Sequence, residues 1–457
     1  MPQQTADVLI TGAIIATMDA NRTVMKDSAI AIKGDRIAGI GPSAEIAKDF
    51  DATETIDGSR WVITPGMVNA HIHITGDPLT QAHMPDDLDG EFNDKLQRWV
   101  MPRYMAHTPA DERLSAQLAA LKMLRTGTTC FVEAGTVRFL DEVVEGLNHL
   151  GIRGRVGIWV EGRAFDPAED QAAKISAAVK LMEDEVAQYP AANGERIAAW
   201  PILVGHSTNP DEVWLAAKAL ADEHKLGISA HMSPRKADPD WFLANTNRRP
   251  LEHLAEIGVL GPNVSFTHLA QIDDGEFEAL TGSGANAICC ALAATRASQG
   301  VITKGYYPRM AKAGTKIMLG SDGYDCDMLR IGQLFACGFR DAEEDVSIFS
   351  SAEIMSSLTD RAANALGMAD EIGSLEAGKR ADLVAHDTDR PEWSPVMNVM
   401  NQLVWAADGR SVHSVWVDGE RVVENYRSTR IDEDKLYADA QQAGEAIIER
   451  SNLPAMG

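Results

Sequence analysis

The 457-residue chain is poor in cysteine and in organised positive charge. Its five cysteines (Cys130, Cys289, Cys290, Cys326, Cys337) are odd in number and form no CxxC. That excludes a disulfide framework and a zinc knuckle, and fits a reducing, cytoplasmic setting. Lys and Arg total 42 against 67 Asp and Glu, a formal net charge of −25, and no Lys/Arg-rich run occurs. Nucleic acid and anionic membrane surfaces are therefore excluded as partners. No apolar run approaches the ~18 residues of a membrane span. The apolar opening, MPQQTADVLITGAIIATMD, lacks a basic start and carries Asp7, so it does not read as a secretory signal. No GxGxxG follows an early strand, which leaves a dinucleotide site without support.

What is present is a change of period along the chain. Residues 6–63 alternate like short strands (ADVLITGAIIATMD, SAIAIKGDRIAGIG, ETIDGSRWVITP) separated by turn residues. From about 66 to 345, eight apolar runs alternate with amphipathic stretches such as DERLSAQLAALKMLRTG. The runs are GMVNAHIH, TTCFVEAG, GRVGIWVEG, IAAWPILVGHS, LGISAHMS, NVSFTHLA, ANAICCAL and KIMLGSDG. Near-continuous apolar strands joined by helices mean a parallel sheet covered by helices, and eight of them predict a (β/α)8 TIM barrel in an α/β protein. Strand patterns return in GSLEAGKRADLVAHD and SVHSVWVDGERVVENY. The expected organisation is a small β-sandwich built from both chain ends (1–64 and 371–430), a barrel over 65–370, and a terminal helix and tail over 431–457.

In a strand, residues i and i+2 share a face, so His71 and His73 project together about 7 Å apart along the strand. Two imidazoles so placed can converge on one metal ion, although an HxH is common enough by chance. His231, His268 and Asp322 each end a further apolar run, where a barrel's C-terminal face gathers its reactive groups. His206 ends the fourth run, at the same rim, and is a candidate substrate contact. Cys289-Cys290 reads as buried packing, His83 and His107 as structural or surface residues, Asp325 and Asp327 as rim residues or helix caps, and Asp86-Asp87-Leu88-Asp89 as a solvated face. Met84, Trp99, Met101 and Tyr104 lie in a long connection after the first barrel strand; it is either a lid for an aromatic substrate or an ordinary packed loop.

The ordered set ADVLITGAIIATMD, PGMVNAHIH, LGSDG and GSLEAGKRADLVAHD resembles the amidohydrolase superfamily over nearly the whole chain. That resemblance implies that His71, His73, His231 and Asp322 bind one divalent metal ion, zinc ahead of iron, cobalt or nickel. His268 would touch the attacking water or the substrate, and His268 and Asp322 would share the proton work. Dinuclear relatives carry a lysine at the end of strand four; His206 stands at the end of this run, with no lysine, which favours a single ion.

Nucleobase-deaminating relatives show HxxE at strand five, whereas this chain reads His231-Met232-Ser233-Pro234. The HCP-type segment of those enzymes is matched only by AICCALAAT. These departures favour hydrolysis of an amide, urea or carbamate, nearest the molinate and phenylurea hydrolase group, with N-aryl urea or thiocarbamate xenobiotics as substrates. The alternatives are a deaminase or dechlorinase of a triazine or nucleobase, and an inactive barrel serving as a binding or assembly module. A small-molecule substrate and a homo-oligomer are the partners expected.

Overall fold

The computed structural model describes residues 3–85, 92–191, 195–323 and 325–454. The Asp86-Asp87-Leu88-Asp89 run lies outside the described residues. Two compact units are present. One comprises Met1–Asn69, Lys122–Cys130 and Asp327–Arg430; the other comprises Ala70–Leu121, Phe131–Cys326 and Ile431–Gly457. These ranges do not follow the expected ones residue for residue. Residues 327–370, expected in the barrel segment, cluster with the N-terminal strands, and the C-terminal stretch clusters with most of the barrel.

In the first unit both chain ends feed one nine-stranded sheet. Leu383–Asp387 runs antiparallel to Trp61–Pro65, with Ala385 opposite Ile63, and Gln4–Ala16 pairs with Val24–Lys33, Phe50–Asp57 and Trp61–Pro65. Alternation in these strands turns Ile10, Ile30, Ile32, Ile63, Leu383 and Trp416 into one apolar core.

The eight predicted runs are the strands of the barrel. Met67–Ile72, Thr128–Glu133, Arg153–Val156 and Ile197–Ala199 form one parallel set; Ile202–Gly205, Ile228–Met232, Val264–His268, Asn286–Cys289 and Ile317–Leu319 form the next. The fourth strand is split at Trp200-Pro201, because proline has no N–H to give to a ladder. Bridges between Val160 and Leu203, and between Ile72 and Asp322, carry the pairing across the split and from the last strand back to the first. The helices between strands include Pro109–Arg125, Leu140–Leu150, Gln171–Gln188, Asp211–His224 and Asp274–Ser283. Their ends follow local chemistry: Asp170 and Asp273 accept hydrogen bonds from first-turn amides. Asp327 caps Met328–Glu343 in the same way, as its sequence position suggested. The terminal helix Glu433–Arg450 is tied to the second unit, where Arg450 pairs with Asp111. Among the described residues no helix is long and apolar enough to cross a membrane.

Candidate metal centre

The barrel's parallel register decides which side chains meet. Gly205 stands beside His231, His231 beside Thr267, and Met232 beside His268. The Asp322 amide donates to the His71 carbonyl at 2.9 Å. The strand ends are thereby fixed at similar heights, so residues about 250 positions apart in sequence come together. His71, His231, His268 and Asp322 form one group whose ligand atoms all lie within 4.8 Å of one another. Tetrahedral zinc, with bonds of about 2.0–2.1 Å, needs its ligand atoms roughly 3.4 Å apart, which is within side-chain rotation of this spacing.

His73 stands outside that four-member group but is joined to it: its Nε2 lies 3.1 Å from Asp322 Oδ1, and His71 Nε2 lies 3.4 Å from the same oxygen. His268, expected to touch water or substrate, sits inside the group. His206 adjoins it, its ring 5.7 Å from that of His231 and its Nδ1 3.5 Å from Asp238.

The donor chemistry fits a cation. His231 donates from Nδ1 to the Val204 carbonyl at 3.0 Å, which leaves Nε2 as the lone-pair nitrogen. His71 Nδ1 and Thr267 Oγ1 share a 3.0 Å hydrogen bond, which again assigns Nε2 to the centre. The Nδ1 atoms of His73 and His268 are buried without a hydrogen-bond partner. Burial pushes His268 down to about 3 and His231 well below the usual imidazole range, so both are neutral at pH 7. Burial opposes the charge of Asp322 too, but hydrogen bonds from His71 and His73 outweigh it and hold the carboxyl well below its ordinary value. His73 is the exception among the imidazoles. Burial disfavours its charge, yet the bond to Asp322 and the fields of Asp322, Asp77 and Glu133 raise its affinity for a proton. Ligation by His73 would require it to give up that proton, since neutral imidazoles around an ionised carboxylate are the ligating forms of these groups.

Strain and close approach mark the same place. His206, His268 and Asp322 adopt φ of 52°, 79° and 63°, which costs of order 1–3 kcal/mol per residue and concentrates at functional sites. A methyl group on Gly320 would stand 2.8 Å from His71 Cβ and 3.0 Å from Cys290 Sγ, so only glycine lets the eighth strand approach the first.

Several residues of the site carry no motif. Glu133 ends the second strand and is fully buried. Its carboxyl accepts from the Gly135 amide, the Thr136 amide at 3.0 Å and the Thr136 hydroxyl at 2.8 Å. Burial raises its pKa against the pull of His73. Asp77 is raised in the same way, with His73, Arg103 and Tyr104 as the opposing influences. An acid at the end of TTCFVEAG was the available sequence signal for Glu133. The long connection after the first strand is packed where it is described: Trp99 and Tyr104 are buried. His107 binds the Arg103 carbonyl at 2.7 Å and His83 the Pro454 carbonyl at 2.9 Å, both structural contacts.

The family profile described as the Amidohydrolase family matches residues 62–422. A 5-methylthioadenosine/S-adenosylhomocysteine deaminase of Syntrophobacter fumaroxidans is 27% identical over 441 residues, covering 95% of this chain and 97% of the relative. A 5'-deoxyadenosine deaminase of Methanosarcina mazei is 26% identical over 456 residues, covering 98% and 100%. Among solved structures, an adenosine deaminase from Xanthomonas campestris with bound zinc superposes with a TM-score of 0.86 at 25% identity, covering 98% of this chain and all of that one. A mutant form of an atrazine chlorohydrolase of Arthrobacter aurescens, complexed with zinc and atraton, shares the fold with a TM-score of 0.84 at 19% identity, covering 96% and 100%. The chain belongs to the amidohydrolase family and is a metal-dependent hydrolase of carbon–nitrogen bonds.

Proposed function

We propose that the chain is an aminohydrolase that replaces the amino group of an electron-poor heteroaromatic ring by hydroxyl, acting on adenine-bearing nucleosides. The observation that carries this reading is end-to-end similarity to relatives named for deamination of 5-methylthioadenosine, S-adenosylhomocysteine and 5'-deoxyadenosine. The reading places His71, His73, His231 and Asp322 as the ligands of one divalent ion, with His268 beside the attacked carbon. When bound, that ion lowers the pKa of water towards ~7 and supplies the nucleophile. Asp322 accepts the water's proton, and His268 orients the attacked carbon and polarises the bond. His206, whose Nδ1 lies 3.5 Å from Asp238, faces the substrate in this reading. Departure of the amine requires a proton, since an amide anion is a poor leaving group. Pro234 offers none, so the proton comes from another group near the site. Glu133 and Asp77, both shifted towards their protonated forms, are acids within the field of His73.

Pro234 favours a second reading, hydrolysis of an N-aryl urea or thiocarbamate, because that reaction needs no protonated ring nitrogen. The two readings separate in one experiment. The zinc-loaded protein is given 5'-deoxyadenosine, 5-methylthioadenosine, a phenylurea, a thiocarbamate and a triazine. Ammonia from the nucleosides alone supports the aminohydrolase. Aniline or thiol release without ammonia overturns it in favour of the second reading.

A further inference from the structure

We propose that Tyr307 is a positioning residue for the reaction: its hydroxyl braces the His268 strand end by sharing its one hydrogen between the Ile288 and His268 carbonyls. Tyr307 lies in the first turn of the helix Tyr306–Lys312 and is fully buried. Its hydroxyl oxygen is 2.7 Å from the Ile288 carbonyl oxygen and 3.1 Å from that of His268. The ladder between the sixth and seventh strands stops at the pair Thr267–Ile288, one residue short of His268. The phenol takes over where that ladder ends and ties the two strand tips together.

The His268 backbone needs such a tie. His268 and Leu269 have φ of 79° and 52°, two successive side-chain-bearing residues in the left-handed region. That conformation persists only where its surroundings over-determine it. The Leu269 amide bonds the Met232 carbonyl at 3.0 Å and the Gln271 amide bonds the Ser233 carbonyl at 2.9 Å, both towards the fifth strand. Tyr307 supplies the opposing hold towards the seventh. Without it the peptide between His268 and Leu269 is held on one side only, through the Leu269 amide, and the His268 backbone that aims the imidazole is less firmly fixed. Tyr307 acts through the His268 backbone and not on reacting atoms. The inference requires a metal site that uses His268, and does not depend on which substrate the site takes.

The test is Tyr307→Phe, which keeps the ring in place and removes one oxygen. Tyr306→Phe is the control; that hydroxyl lies 3.4 Å from Asp274. Both variants are loaded with Co2+, whose visible spectrum reports ligand geometry, and titrated against 1,10-phenanthroline. Turnover is followed on 5'-deoxyadenosine. With His268 as a ligand, as its place in the four-member group allows, Tyr307→Phe is expected to bind Co2+ about 10–100-fold more weakly and to alter the Co2+ spectrum; with His268 beside the attacked carbon, it is expected to lose kcat by that factor with KM within about twofold. Tyr306→Phe is expected to match the parent. A Tyr307→Phe protein with parental spectrum, metal affinity and kcat, changed only in Tm, would make the hydroxyl a packing feature and overturn the proposal. If no nucleoside is turned over, the substrate reading fails while the spectrum and the chelator titration still decide the role of Tyr307.

Discussion

His268 closes the barrel strand Val264–His268, and His386 stands one residue from the end of the sheet strand Leu383–Asp387. Both are buried, and burial pushes the first down to about 3 and the second to about 4. Their neighbours differ. His386 meets hydroxyls on both nitrogens, Thr64 at 3.2 Å and Ser411 at 3.4 Å. His268 leaves Nδ1 buried without a partner, shares a left-handed turn with Leu269, and has His71, His231 and Asp322 within ligand range. A depressed imidazole pKa therefore measures burial in both units. Convergence of incompletely satisfied donors on one point is what distinguishes the centre.

The sharpest break in that comparison comes from the shared carboxylate. Asp322→Ala is expected to reduce turnover to background and strip the ion, with far-UV circular dichroism unchanged, because the strands beneath are packed independently of the site. Elemental analysis of the purified variant checks this. His268→Ala is expected to cost about 10²–10⁴ in kcat, and its metal content sharpens the assignment: retained ion makes His268 a water or substrate contact, lost ion makes it a ligand.

Thr267→Val removes the hydroxyl that fixes His71 Nδ1, so metal affinity should fall about 10–100-fold in a chelator titration. Gly320→Ala forces a methyl against His71 Cβ; strain of this kind costs about 1–3 kcal/mol, read as a lower urea midpoint together with weakened metal binding.

The smallest effect on metal and turnover belongs to the other side of the comparison. The folded pKa of His386 lies below its unfolded value of about 6.5, so the unfolded state takes up more protons as pH falls. Its contribution is complete above about pH 6.5 and is lost as pH falls through to about 4. At roughly 1.4 kcal/mol per pKa unit this amounts to at most about 3.5 kcal/mol. His386→Gln should flatten that acid limb in denaturation curves while leaving bound metal and turnover as in the parent.

The alternation of periods made the barrel and the two-ended sheet readable, because each strand's length and apolar run are local properties. The residues that end those runs were readable for the same reason: His71, His231, His268 and Asp322 each follow an apolar segment and precede a loop. Their partners were not. Thr267 meets His71 only through the register of distant strands, and Tyr307 reaches His268 from a helix beyond the next strand. Glu133 looks in sequence like any acid after a strand, and its burial depends on the Gly135-Thr136 turn that wraps its carboxyl. His386 ends an apolar run much as His268 does, and only three-dimensional contacts separate the two. The substrate was least legible. The residue at 234 argued against deamination, whereas the full-length relatives favour it.

The central claim is that a single divalent ion is held by the imidazoles and the carboxylate at the barrel's strand ends. Anomalous diffraction at the zinc edge from crystals of the zinc-loaded protein tests it directly. The account predicts one strong peak within about 2.3 Å of Asp322 and of at least two among His71, His73, His231 and His268. A fully active crystal with no peak there, or with its zinc bound only elsewhere, would contradict it.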